Sequence, residues 1–137
     1  MKSKERLFLF VACVIVTFDV LASFASRLAH FNYDNLIWVS LCLYVLCGYL
    51  GFRYGRLLGG FLVGLIAGLA DSTLGWALST LIHPNMSSPD TKLTVFNVST
   101  AVVFVTLIGG FFGFVGALVA KGISLMRARQ SRQTVQG

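Results

Sequence analysis

Charge is scarce in this chain: of 137 residues only 12% are Asp, Glu, Lys or Arg, and the acidic ones number five. A typical soluble domain carries about 25% charged residues, so a water-soluble fold would lack the polar side chains to cover its surface. Proline is nearly absent, and both examples, Pro84 and Pro89, fall in one short polar stretch. Gly-x-Ser-x-Gly, His-Glu-x-x-His and phosphate-loop patterns are missing, which removes the usual hydrolase, metalloprotease and nucleotide signatures. The two histidines, His30 and His83, are far apart, with no cysteine or carboxylate at ligand spacing. Cys13, Cys42 and Cys47 lie inside apolar runs, with neither metal-ligand spacing nor the setting of a disulfide framework. No enzyme, metal centre or cofactor is expected.

What is abundant is apolar: 56% of residues are hydrophobic and the mean hydropathy is +0.81. A helix needs about 20 mostly apolar residues to cross a bilayer's ~30 Å of hydrocarbon. Four stretches qualify, approximately 7–28, 36–52, 57–82 and 93–120. They lack the in/out alternation of barrel strands, so in lipid they must be helices. The expected fold is an all-α integral membrane protein, a four-helix bundle over residues 1–126 with a basic cytoplasmic tail over 127–137. The first stretch has some features of a signal peptide, namely Lys2, Lys4 and Arg6 ahead of an apolar run and a small-residue site at Ser23-Phe24-Ala25. Asp19 interrupts that run, so retention as a span is the expectation.

Basic residues set the orientation. Lys2, Lys4, Arg6, Arg53, Arg56, Lys121, Arg127, Arg129 and Arg132 fall on one side of the four spans, and Arg27 and Lys92 on the other. Both termini are therefore expected in the cytoplasm. The net charge of +6 reads as topology and attraction to anionic lipid, and no nucleic-acid partner is needed. A multi-pass protein of a bacterial inner or plasma membrane is the expected location.

The connections are short. Residues 30–35 make the first external turn, with Asp34 as an expected N-cap for the second helix. Residues 52–56 make a tight cytoplasmic hairpin, and 83–92 the longest external loop, where Ser88 or Asp90 can cap helix four and Asn85-Met86-Ser87 is a formal glycosylation sequon. A weak internal repeat is also visible. Asp19 precedes Phe24-Ala25 by the spacing at which Asp71 precedes Trp76-Ala77, and Gly48-Tyr49-Leu50-Gly51-Phe52 resembles Gly110-Phe111-Phe112-Gly113-Phe114. Two tandem two-helix units would be related by a pseudo-two-fold axis along the membrane normal.

Two acidic residues, Asp19 and Asp71, sit inside spans, ~18 and ~21 Å from the cytoplasmic ends at ~1.5 Å per residue. A charge there costs at least ~2.5–3.5 kcal/mol on insertion scales. Lipid favours the neutral form of a carboxyl, and a second carboxylate nearby adds to that preference, so such a pair can bind protons or a cation in a shared polar cavity. At ~100° per residue Ala12, Asp19, Ser23, Ser26 and His30 share one face of helix one. Ser23, Ser26, Ser72 and Thr73 would supply hydroxyl ligands and His30 an outer relay. The alternative is structural: each Asp fixes helix packing through interhelical hydrogen bonds, which average ~0.6 kcal/mol. That is small against the insertion cost.

Gly60, Gly64, Gly68 and Gly75 stripe helix three together with Asp71; Gly109, Gly113 and Gly116 stripe helix four with Ser99, Thr106 and Ala120. Small-xxx-small patterns let backbones approach closely, so these faces are expected to pack together or against neighbouring subunits. Trp38 and Tyr33 near the outer boundary, and Tyr49 and Tyr54 near the inner one, are expected in interfacial belts. In outline, four short helices with an acidic residue in the first, the chain resembles the small multidrug-resistance exporters; those carry a Glu in that helix, and the residues around Asp19 do not reproduce their motif. The expected function is an oligomeric channel or proton-coupled transporter subunit using Asp19 and Asp71. The alternative is a non-transporting accessory subunit that docks a larger membrane partner through its glycine faces.

Overall fold

The computed structural model describes residues 3–83 and 94–136, with side chains over 5–83 and 94–131. Among these residues there is no strand; the chain runs as α1 (Ser3–Ala29), a 3-10 turn (Tyr33–Leu36), α2 (Ile37–Ala70), a π turn (Asp71–Gly75), α3 (Trp76–Ile82) and α4 (Val95–Gln136). Three helical stretches, Glu5–Ala29, Tyr33–Ile82 and Val95–Ser131, are long and apolar enough to cross a membrane. The external loop with its two prolines, its proposed caps and its sequon lies outside the described residues.

The helix α2 is not straight. Gly55 (φ −163°, ψ 20°) and Arg56 (φ 54°, ψ −137°) leave helical geometry, within the segment expected to turn. On an unbroken helix Gly48 and Gly60 would stand ~18 Å apart at ~1.5 Å per residue. Instead the Gly48 carbonyl oxygen comes within 2.8 Å of where a Cβ on Gly60 would sit, and the Gly59 carbonyl oxygen within 2.7 Å of a Cβ on Gly51. The chain therefore folds back, giving one arm over residues 37–54 and another over 57–70.

The arms pack this closely because glycine presents only backbone. The same holds where α4 joins them. A Cβ on Gly109 would lie 2.5 Å from the Gly64 carbonyl oxygen, one on Gly113 2.6 Å from the Gly60 carbonyl oxygen, and one on Gly68 2.7 Å from the Val105 carbonyl oxygen. Gly116 rests on the first arm at Val45 and Tyr49. From the other side α1 brings Val11 and Ile15 onto Tyr44, Cys47, Val63 and Ala67, forming the buried core. Among the described residues the backbones of α1 and α4 do not approach each other; the two helices flank the folded α2. Ile108 and Phe112 of α4 reach the core that Val11 and Ile15 help to form.

Outward from this core the helices present large apolar side chains. Leu28 is 79% exposed, Leu81 75% and Phe96 78%. Each apolar Å² left in water costs ~25 cal/mol, so these faces suit lipid as the solvent. One expectation changes at the ends. Asn32, and not Asp34, caps the first turn: its Oδ1 accepts the Asp34 N–H at 2.9 Å, and the 3-10 turn moves the start of α2 to Ile37. The basic tail continues α4 to Gln136, since its Arg, Ala and Gln residues favour helix and contain neither Pro nor an internal Gly before the end.

Candidate functional site

The face that α1 buries is read directly from its sequence: Val11, Ile15, Asp19, Ala22, Ser23 and Ser26 are all buried, each three or four residues from another member of the set, as one helix face requires. The first part of the stripe is apolar and the last part polar. Asp19, at the changeover, is 2% exposed. Opposite it lies the π turn that begins at Asp71. A π turn holds more residues per turn than the 3.6 of an α-helix. Here that offsets the drift of a four-residue spacing and keeps Asp71, Gly75 and Ser79 on one face.

The two carboxyls meet. The Asp19 carboxyl interacts with that of Asp71 and with the Tyr33 hydroxyl, and no basic side chain stands beside it. Two carboxyls can hydrogen-bond only through a proton, as in an aspartic dyad. The Tyr44 hydroxyl, on the first arm of α2, donates to Asp71 Oδ2. On the other side the Tyr33 hydroxyl reaches Ser79 and Ser23, and Ser23 Oγ donates to Ser79 Oγ at 2.8 Å. Tyr44, Asp71, Asp19, Tyr33, Ser79 and Ser23 thus gather their oxygens in one cluster, in which Asp19, Tyr44, Ser23 and Ser79 are buried and Asp71 and Tyr33 half-buried.

Within it, Asp19 Oδ2 is fully enclosed and has no hydrogen-bond partner. It lies directly over Gly75, where any Cβ would collide with it. The glycine is a notch that admits the carboxyl. A buried carboxylate oxygen without a donor is costly.

The remaining expected residues are placed as follows. Ser26 is buried and donates to the Phe31 carbonyl oxygen at 2.7 Å, holding the external turn. Ser72 and Thr73 turn back onto their own helix, donating to the Gly68 carbonyl oxygen at 2.8 Å and the Leu69 carbonyl oxygen at 2.5 Å; they satisfy the backbone that the π turn loosens. His30 is exposed, at a left-handed φ of 53°, and stands outside the cluster because α1 has ended at Ala29. Gly60, Gly64, Gly68, Gly109, Gly113 and Gly116 lie in the packed seams, and Gly75 alone faces a polar side chain.

Three members escaped the sequence reading. Tyr33, expected in an interfacial belt, is half-buried with its hydroxyl turned inward because the 3-10 turn folds it over the end of α1. Tyr44 was legible as a phenol deep inside an apolar run, and Ser79 from the four-residue spacing Asp71, Gly75, Ser79. An apolar groove of about 440 Å³, lined by Leu57, Leu58, Phe61, Leu107, Phe111 and Phe114, shares no residue with the cluster. Among the described residues no three His, Cys, Asp or Glu side chains group as metal ligands. Comparison with protein-family models, curated proteins and solved structures returns no match.

Proposed function

We propose that this protein is a four-span membrane bundle with both termini in the cytoplasm, and that its Asp19–Asp71 pair is the proton-binding centre of a small channel or proton-coupled transporter subunit. The four-span count follows if each arm of the folded α2 crosses the bilayer. The observation that supports the functional reading is the meeting of two acidic side chains, one with an oxygen left unpartnered. Burying carboxyls in lipid costs more than hydrogen-bonded packing returns, which favours a use for their protonation beyond holding helices together.

A pair sharing one proton can gain a second or lose the first, and each step changes the charge of a site that lipid surrounds. Binding or releasing a cation in exchange for that proton is the coupling such a centre supports. Assembly into oligomers through exposed apolar faces fits a bundle with so little enclosed volume.

The accessory-subunit reading is favoured by one specific feature: Asp19 is closed off at 2% exposure among hydroxyls, as a structural knot would be. Flux separates the two. Protein reconstituted into liposomes should pass protons or a small cation, and Asp71→Asn should abolish the flux while the purified variant keeps the wild-type assembly size. Tight wild-type vesicles, together with a variant that falls apart, would establish the accessory role instead.

A further inference from the structure

We propose that, in the conformation of this structure, the Asp19–Asp71 pair exchanges protons with the external aqueous phase, through Tyr33 and the Ser23–Ser79 hydroxyl pair. The inference rests on the membrane orientation and proton-binding centre proposed above, and adds the side from which that centre is addressed.

The lining of the pair is polar in one direction only. Along α1 toward the outer end come Ser23 and Ser26, both fully buried, with Ser79 facing them at 2% exposure. Tyr33 descends from the external turn and joins Asp19 to these hydroxyls. Toward the cytoplasm the same face continues as Ile15 and Val11, each 1% exposed, closed by Val63 at 1%, Ala67 at 0% and Cys47 at 5%. From Asp19 to Val11 this amounts to ~12 Å of helix whose buried face carries no oxygen-bearing side chain of α1 (Thr17 points outward). The Tyr44 hydroxyl, the one side-chain oxygen brought into this core by α2, is committed to Asp71. Beyond this stretch the arms of α2 meet backbone to backbone at Gly48, Gly51, Gly59 and Gly60, leaving no room for a file of water.

The other titratable groups do not open a second path. Asp71 and Tyr44 are the acidic and phenolic groups that the π turn and α2 direct at the pair, and Tyr44 is 2% exposed. Ser72 and Thr73 spend their hydroxyl protons on their own helix. At this level α4 offers Val105 and Thr106 against Gly68, neither of which titrates. Arg27 lies at the outer end, where its guanidinium donates to the Ile82 carbonyl oxygen at 3.0 Å and ties α1 to α3 beside the route. His30 and His83 are exposed at the same end.

The transfer is a relay. A proton arriving at the Tyr33 oxygen, directly from water or through Ser79, lets the hydroxyl release its own proton to Asp19. Tyr33 ends as it began, and one proton has been added to the pair. The unpartnered Asp19 Oδ2 is a vacant acceptor within that pair.

The test uses the full-length protein in vesicles of phosphatidylethanolamine and phosphatidylglycerol, with sidedness fixed by protease access to the 127–137 tail. Infrared difference spectra read the protonated-carboxyl C=O stretch while pH is stepped on one side and clamped on the other. Carbonyl-¹³C aspartate labelling identifies the band without a substitution, and Asp19→Asn removes its buried component. The expected result is a band that follows external steps promptly and internal ones much more slowly, with Tyr33→Phe slowing the external response roughly ten-fold or more. A band that follows internal steps as fast as external ones, or faster, overturns the inference, as does an unslowed Tyr33→Phe. Failure of the transport reading is distinguishable: vesicles that carry no flux but whose band tracks external pH remove transport and leave the access route standing. Conducting vesicles whose band tracks internal pH do the reverse.

Discussion

The Tyr44 hydroxyl donates to Oδ2 of Asp71, joining the first arm of α2 to the π turn across the centre of the bundle. Phenylalanine at position 44 would keep the ring packed in the core and delete only the donor. Leaving a buried carboxyl oxygen without it costs ~1–3 kcal/mol. Tyr44→Phe is therefore expected to lower the thermal unfolding midpoint in detergent micelles and to expose Cys47, now 5% accessible, to maleimide at lower temperature. A midpoint equal to that of the wild type would show that the bond contributes nothing.

Gly75 admits the Asp19 carboxyl because it has no Cβ. Gly75→Ala should be destabilising, by ~1–3 kcal/mol as for other overpacked sites, while the same substitution in an Asp19→Ala background should cost far less. The measurement is a double-mutant cycle on unfolding free energy, which reports the interaction directly for residues in contact. Additive effects would mean the carboxyl does not occupy the notch.

The glycine seam makes a graded prediction. Gly64→Val and Gly113→Val drive a side chain into the backbone of the facing helix and should each cost at least ~1–3 kcal/mol. Gly122, with open space where its Cβ would go, should accept alanine and gain ~0.5–1 kcal/mol from helix propensity. Equal responses at buried and open glycines, in the same unfolding assay, would contradict the close approach of α4 to α2.

Arg56 turns the hairpin with φ 54° and ψ −137°, a region that side chains rarely enter and glycine enters freely. Strain of this kind costs on the order of 1–3 kcal/mol. Arg56→Gly should raise stability by a good part of that, because its neighbour Gly55 has extended backbone and does not supply the left-handed residue. Loss of stability would show that the guanidinium holds the turn in some other way.

The hairpin, the break of α2 and the place of two carboxyls within long apolar helices were legible in the residues. Charge scarcity forced the apolar runs into lipid, where only helices satisfy the backbone, and a Gly-flanked Arg-Tyr-Gly-Arg segment had to turn. The α1 face was legible for the same reason: a stripe of Asp19, Ser23 and Ser26 at helical spacing is unlike anything lipid would accept on its outer surface. His30 was misplaced by extending that periodicity one residue beyond the helix end. Ser72 and Thr73 were misassigned because a hydroxyl's choice between a neighbouring helix and its own carbonyls depends on the π turn, which no pattern of polar residues announces.

By itself the sequence determined the helical class, the long apolar stretches fit to cross a membrane, and the place of the two aspartates within them, because these follow from composition and run length. Only the tertiary structure decided that Asp19 and Asp71 touch, that Tyr33 and Tyr44 flank them on either side, and that Gly75 faces a carboxyl while Gly48, Gly64, Gly68, Gly109 and Gly113 face the backbone of a neighbouring helix. The reason is rotational: hydropathy fixes where along the membrane normal a residue lies, whereas its partners depend on the azimuth of each helix. That azimuth is set by the fold-back at Gly55–Arg56, the π turn at Asp71 and the seam along which glycines let α4 approach.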